Sequence, residues 1–193
     1  MKTLPLAIFI HGFPGAGKTT LAQMIHKNMP SLLLLSNDVI RSNIGYPVIG
    51  SKYTIQVYKC VANMASSALS NGNGVLMDAT FYSTHYRTIV LDAIREIQLQ
   101  PLIIHVITPA HICRERIALR PKRSRQIDNI DTFDSLINRW ENWTEAEMPK
   151  NSIYVEVDGS GVIPHLRTMP HNANVNVIRV LEKIFKEGKD TDE

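Results

Sequence analysis

Gly12-Phe13-Pro14-Gly15-Ala16-Gly17-Lys18-Thr19 constrains this chain more than any other stretch. Its fixed positions fit the pattern G-x-x-x-x-G-K-[ST]. The apolar run Leu6 to Ile10 before it reads as a buried strand. The residues from Thr20 to Ile25 after it carry apolar side chains at helical spacing, with no breaker before Pro30. Strand, glycine loop and helix in this order place the loop at the carboxyl end of a strand in an open α/β sheet.

The residue types explain the chemistry. Glycines let successive backbone N–H groups turn inward and wrap an anion with no side chain in the way. The helix opening near Lys18 adds its unpaired amides and positive dipole end. Lys18 reaches the β- and γ-phosphates of a nucleotide, and the Thr19 hydroxyl ligates Mg²⁺. ATP and Mg²⁺ are therefore the expected ligands, held by Gly12, Gly15, Ala16, Gly17, Lys18, Thr19 and Thr20. The bland alternative, a glycine turn with Lys18 merely exposed, leaves the flanking elements unexplained.

Further along, Leu32 to Leu35 reads as a strand ending in Ser36-Asn37-Asp38. A helical turn through Val39-Ile40-Arg41 puts Asp38 and Arg41 on one face. Gly45 to Gly50 reads as a loop, and Lys52 to Ser70 as a helix stopped by Asn71-Gly72-Asn73-Gly74. Val75 to Asp78 is a third strand, again ending in an acid. Ser83 or Thr84 is placed to cap the next helix, on which Arg87 is expected to be a structural ion-pair partner. Leu102 to Ile107 is the fourth strand, and His105 within it is given no catalytic role.

Pro109 opens a helix carrying Arg114, Arg116 and Arg120, followed by a basic and then polar loop from Pro121 to Asp131. Phe133, Leu136, Ile137, Trp140 and Trp143 fall on one amphipathic stripe, with the tryptophans expected in the core. Ile153 to Asp158 is the fifth strand and Val175 to Phe185 the last helix, before a polar tail over residues 186–193. Strands alternating with helices argue for a parallel sheet covered on both faces.

Composition narrows the function classes. At 193 residues, 44% hydrophobic and 20% charged, the chain reads as a single domain, residues 1–193, with enough apolar material for a core. The net charge of +3 is too mild to argue for nucleic acid by itself. Cys60 and Cys113 stand far apart and read as reduced thiols of a cytoplasmic protein. The seven histidines form no zinc-ligand spacing, and no stretch reaches transmembrane length. Lys2 and the apolar run behind it imitate a signal peptide but lack a cleavage site and lead straight into the glycine loop.

Asp38 and Asp78 both fall at strand ends beside the loop, so one is expected at Mg²⁺, through water, and the other at a proton. Asp78-Ala79-Thr80 has no adjacent glutamate to activate water, and no N-K-x-D guanine-reading element occurs. Phosphate binding without water-activating groups points to transfer onto another acceptor.

Together these residues resemble the P-loop kinases of the AAA_33, zeta-toxin and polynucleotide 5′-kinase-like group, which also holds chloramphenicol phosphotransferases. The resemblance runs from Ile8 to about Glu147. It rests on Gly12 to Thr19, on Asp38-Val39-Ile40-Arg41 as D-x-x-R, on Asp78-Ala79-Thr80 and on Arg116-Ile117-Ala118-Leu119-Arg120. It implies a three-layer α/β fold of nucleoside-kinase type, with a five-stranded parallel sheet in the order 2-3-1-4-5. It implies that Asp38 is the general base and Arg41 a substrate-binding residue. A lid at about 114–131 would close over ATP, with Arg120 on the transferring phosphoryl group and Arg116 in support. Asp78 would orient the Mg²⁺ shell or the acceptor.

The expected activity is ATP-dependent phosphoryl transfer to a hydroxyl. A small-molecule acceptor is favoured, because no basic groove interleaved with aromatics is visible. A polynucleotide 5′-hydroxyl is the alternative acceptor. In another class stands an ATP-binding regulatory module, or a slow NTPase with no acceptor.

Overall fold

The computed structural model describes residues 4–45, 51–120, 130–167 and 175–185. The expected loop residues 46–50, the lid stretch 121–129 with Lys122, Arg123 and Arg125, and the tail 186–193 lie outside the described residues.

In chain order the strands are β1 (Leu6–His11), β2 (Leu33–Ser36), β3 (Val75–Asp78), β4 (Gln100–Ile107), β5 (Ile153–Asp158) and β6 (His165–Leu166). The helices are α1 (Lys18–Asn28), α2 (Asn37–Asn43), α3 (Ser51–Ser70), α4 (Thr84–Ile94), α5 (Ala110–Leu119), α6 (Ile130–Ile137) and α7 (Val175–Phe185). The sheet runs β2-β3-β1-β4-β5-β6. Its first five strands pair in parallel, in the expected order. The addition is β6, which pairs antiparallel to β5 through Val157–Leu166 and Asp158–His165. Two residues are too few to leave a periodic signal, and their strand character comes from pairing alone.

β1 lies at the centre, and side chains alternate across it. Ile8 and Ile10 join an aliphatic core with Leu21 and Ile25 of α1, Ile117 of α5 and Leu181 of α7. Ala7 and Phe9 join the opposite core, which is richer in aromatics: Tyr58 of α3, Phe81, Tyr86 of α4 and Trp143. Both faces of β1 are covered, which is why its sequence is continuously apolar. The chain leaves β1 toward β2 on one side and later returns to β4 on the other. The carboxyl ends of β1 and β3 therefore flank a crevice, and ligands bind at such reversals.

One expectation needs correction. The stripe Phe133 to Trp143 does not form one helix, because α6 ends at Ile137. Arg87, fully buried on α4, overrides the helical period. Its Nη1 donates to the Glu141 carbonyl at 2.7 Å and its Nη2 to the Asn142 carbonyl at 3.1 Å. Nη2 also pairs with Glu147 at 2.9 Å, which makes Arg87 the structural ion pair expected of it. Glu141 N–H meanwhile donates to the Tyr82 carbonyl at 2.8 Å, so residues 141–142 are drawn out of helix toward α4. Trp143 still reaches the core, and Trp140 is half-buried. At the start of α4, Ser83 stands at the N-cap without a side-chain bond, and Glu141 accepts from Thr84 N–H instead.

Candidate active site

The loop after β1 is shaped by close packing from below. A Cβ on Gly12 would lie 2.5 Å from the Val106 carbonyl oxygen, and one on Gly15 would lie 2.7 Å from that of Cys113. Both residues have positive φ, +148° and +80°, so strain and space exclude other residues together. Gly17 then caps α1, and Lys18 is the first residue of that helix.

Lys18 is buried and curls back, its Nζ donating to the Phe13 carbonyl at 2.8 Å. Burial lowers its pKa, with Arg120 adding to the effect and Asp78 and Asp38 opposing it. The balance shows two cations and two carboxylates within electrostatic reach of one loop. Thr19 Oγ1 donates to Asp78 Oδ2 at 2.8 Å, and Ser36 Oγ approaches the same oxygen at 3.5 Å. Pairing of Ser36 with Asp78 across β2 and β3 sets this contact. Burial raises the Asp78 pKa and nearby Asp38 adds to that, while Lys18, Thr19 and Ser36 hold it down.

Mg²⁺ takes hard oxygen ligands and keeps much of its hydration, so one or two protein oxygens suffice. The hydroxyl of Thr19 and the carboxylate of Asp78 fit that requirement. No group of three His, Cys, Asp or Glu able to hold a metal occurs among the described residues.

One pocket, with room for about 140 Å³, gathers most of the expected site. Gly15, Gly17, Lys18, Thr19 and Thr20 form its floor. Asp38 and Arg41 come from α2, Asp78 from β3, and Arg120 from the end of α5. Asp38 is exposed, whereas Arg41 is buried and donates to Thr54 Oγ1 at 3.3 Å. Burial lowers the Arg41 pKa and Asp38 counters it.

Three expected residues stand elsewhere. Gly12 lies beneath the loop, and Ala16 is fully buried with its carbonyl accepting from Thr108 Oγ1 at 2.9 Å. Arg116 faces the far wall: its Nη1 donates to the Gly159 carbonyl at 2.7 Å, and its Nη2 to those of Ser160 and Gly161 at 2.7 and 2.9 Å. A further bond at 3.3 Å reaches the Gly15 carbonyl. The guanidinium thus ties the turn after β5 to the phosphate loop instead of facing the pocket.

Sequence reasoning missed Asn37, which lines the pocket, is buried, and has no partner for its Oδ1. Also unforeseen was the stack beneath Gly12, where the rings of His11 and His105 lie 4.3 Å apart at 16°.

No curated protein matches the chain in sequence. Among solved structures, a candidate kinase of Chloroflexus aurantiacus J-10-fl is similar at 19% identity, over 91% of this chain and 95% of that one, with a TM-score of 0.67. A sugar kinase of Janibacter sp. HTCC2649 is similar at 16% identity over 93% and 91%, with a TM-score of 0.61. The Pnkp1/Rnl/Hen1 RNA repair complex is similar at 18% identity over 72% of this chain and 45% of that one, with a TM-score of 0.59. At such identities the likeness is one of fold, that of P-loop kinases. In sequence, residues 8–141 match the AAA_33 model, an AAA domain. With the phosphate loop at the centre of a 2-3-1-4-5 parallel sheet, the chain belongs to the AAA_33 family.

Proposed function

We propose that this chain, as one kinase unit over residues 1–193, transfers the γ-phosphate of ATP to a hydroxyl of a small molecule in the cytoplasm. The observation that carries this reading is the single pocket shared by Lys18, Thr19, Asp38 and Asp78. A phosphate cradle alone would fit an NTPase or a binding module. An exposed carboxylate on α2 beside that cradle is what a hydroxyl acceptor requires.

In this reading the acceptor oxygen attacks the γ-phosphorus and its proton passes to the Asp38 carboxylate. The bond from the γ-phosphorus to the β,γ-bridging oxygen breaks, and ADP leaves with the electron pair. Lys18, the loop amides and Arg120, reaching in from the lid at 114–131, take up charge on the phosphates. Thr19 and Asp78 would hold Mg²⁺, which supplies charge neutralisation between the β- and γ-phosphates. Arg41 lies on the acceptor side.

The test follows label from γ-labelled ATP into a panel of sugars, nucleosides, antibiotics and oligonucleotides. Label should enter a small hydroxyl compound, and Lys18→Ala should abolish transfer while leaving the fold intact. Unchanged MgATP affinity in that variant would remove the assignment of the loop. Phosphate release with no labelled acceptor would favour the slow NTPase. A polynucleotide 5′-hydroxyl has one supporting feature, the buried Arg41 guanidinium, which could hold a neighbouring phosphate.

A further inference from the structure

The short helix α2 buries two polar residues. Of its seven residues, the buried ones are Asn37 and Arg41, while Val39 is 57% exposed. Residues three and four apart share a helix face, so Asn37 and Arg41 both turn inward, beside Ile40, which packs against the aromatic core. Burying a carboxamide and a guanidinium is unfavourable unless each finds hydrogen bonds. Arg41 meets Thr54, but Asn37 Oδ1 is sealed from solvent without a partner. Packing of Ile40 accounts for the orientation of the helix but gives no reason for a buried carboxamide at position 37. The pocket does, since Asn37 lines it beside Asp38.

Resting on the phosphotransferase reading above, we propose that Asn37 binds a second hydroxyl of the acceptor, next to the one that receives phosphate. The acceptor is then a neutral polyol of the sugar class, not an isolated alcohol or a nucleic-acid end. A half-turn about Cβ–Cγ exchanges Oδ1 with Nδ2, so the carboxamide can offer an acceptor or a donor, and a hydroxyl pairs with either. The same wall carries the neutral hydroxyls of Thr54, Tyr58, Thr80 and Tyr82. Among the described lining residues the cations are Lys18, Arg41 and Arg120, too few to track a phosphate backbone once ATP is bound. An aspartate at position 37 would set a third carboxylate beside Asp38 and Asp78, at a cost in charge repulsion. An asparagine reads a hydroxyl without that cost.

A site that hydrogen-bonds a substrate hydroxyl rejects the analogue lacking it, because the protein group is left unpaired. The experiment therefore measures transfer from γ-labelled ATP to aldoses, alditols, simple alcohols, nucleosides and an oligonucleotide with a free 5′-hydroxyl. The best polyol is then compared with its monodeoxy analogues in the wild type, Asn37→Ala and Asn37→Leu. One analogue should lose about tenfold or more in kcat/KM with the wild type. Asn37→Ala should lose as much with the parent polyol and treat parent and analogue alike, with the KM for ATP changed by less than about twofold. Asn37→Leu, which replaces the orphaned carboxamide with a side chain of similar size, should lose the same preference while its melting temperature holds or rises.

Discrimination that survives in Asn37→Ala overturns the proposal, as does a lower melting temperature in Asn37→Leu, which marks a structural asparagine. Label found only in the oligonucleotide or in simple alcohols also overturns it, yet leaves a phosphotransferase standing. Phosphate release with no labelled acceptor overturns both.

Discussion

The phosphate loop stands between two walls of opposite character. On the β5 side, polar groups are satisfied within the chain. Arg116 is bound to the carbonyls of Gly159, Ser160 and Gly161, and Thr108 to that of Ala16. The contact is so tight that a Cβ on Gly159 would fall 2.2 Å from the Ala16 oxygen. On the β2 side, Asp38 is exposed, the Asp78 pKa is raised by burial, and Asn37 Oδ1 has no partner. Buried polar groups are normally paired. Among the unpartnered ones of the described residues, which include both His11 ring nitrogens and Arg87 Nε, Asn37 Oδ1 belongs to a residue that lines the pocket. In the proposed reading, one wall builds the loop and the other meets the substrate.

The contrast breaks most sharply at Asp38. Asp38→Asn keeps the shape but cannot take a proton, so turnover should fall by about 10²–10⁴-fold with MgATP affinity retained. Steady-state kinetics with calorimetry checks both halves. Wild-type turnover in that variant would pass the role of base to Asp78.

Arg120 and Arg116 sharpen the comparison, since they leave one helix toward different walls. Arg120→Ala should reduce turnover by about 10²–10³-fold, more than it raises the KM for ATP, if charge on the transferring group is its target. A change confined to KM would make it a ground-state phosphate clamp. Arg116→Ala should instead cost about 1–3 kcal/mol of stability, by leaving carbonyls unpaired, with turnover lowered only a few-fold. Denaturant melts beside rate measurements separate the two. A large loss of turnover without loss of stability would move Arg116 to the substrate wall.

An effect on stability alone, with turnover untouched at neutral pH, lies beneath Gly12, where the walls meet. Burial lowers the His11 pKa well below 6.5, with His105, Arg87 and Lys18 adding to it. Burial pushes His105 down to about 4, with Arg167 in support. Both imidazoles are neutral in the fold and take up protons when it opens below pH 6.5. Their contribution is therefore intact above that pH and is lost as pH falls toward 4, at up to about 1.4 kcal/mol per pH unit each. Melts from pH 8 to pH 4 should show this slope, and His105→Gln should flatten it.

Most of the fold was legible because periodicity and turn residues report local structure. β3, β5 and α7 begin and end where the sequence places them; Asp78 closes β3, whereas Asp38 stands two residues beyond β2, on α2. What escaped was decided by distant partners. α6 is cut short by Arg87 from another helix, and β6 exists only by pairing with β5. Arg116, expected in support of Arg120, bonds to the carbonyls after β5, because spacing reveals which face a side chain shares and not what fills that face. Asn37 is silent for a related reason: an asparagine after a strand reads as an ordinary turn residue until its burial is known.

Arg87 also gives the molecule an optical consequence. Residues 138–149 contain no helix or strand, and a guanidinium 54 to 60 positions earlier in the chain fastens them. A contact of that sequence separation closes late, after the local elements have formed. The indole of Trp143 lies 5.1 Å from the same guanidinium and is 9% exposed. Docking of this segment carries Trp143 from water into the aromatic core, so its emission reports when the chain closes over α4.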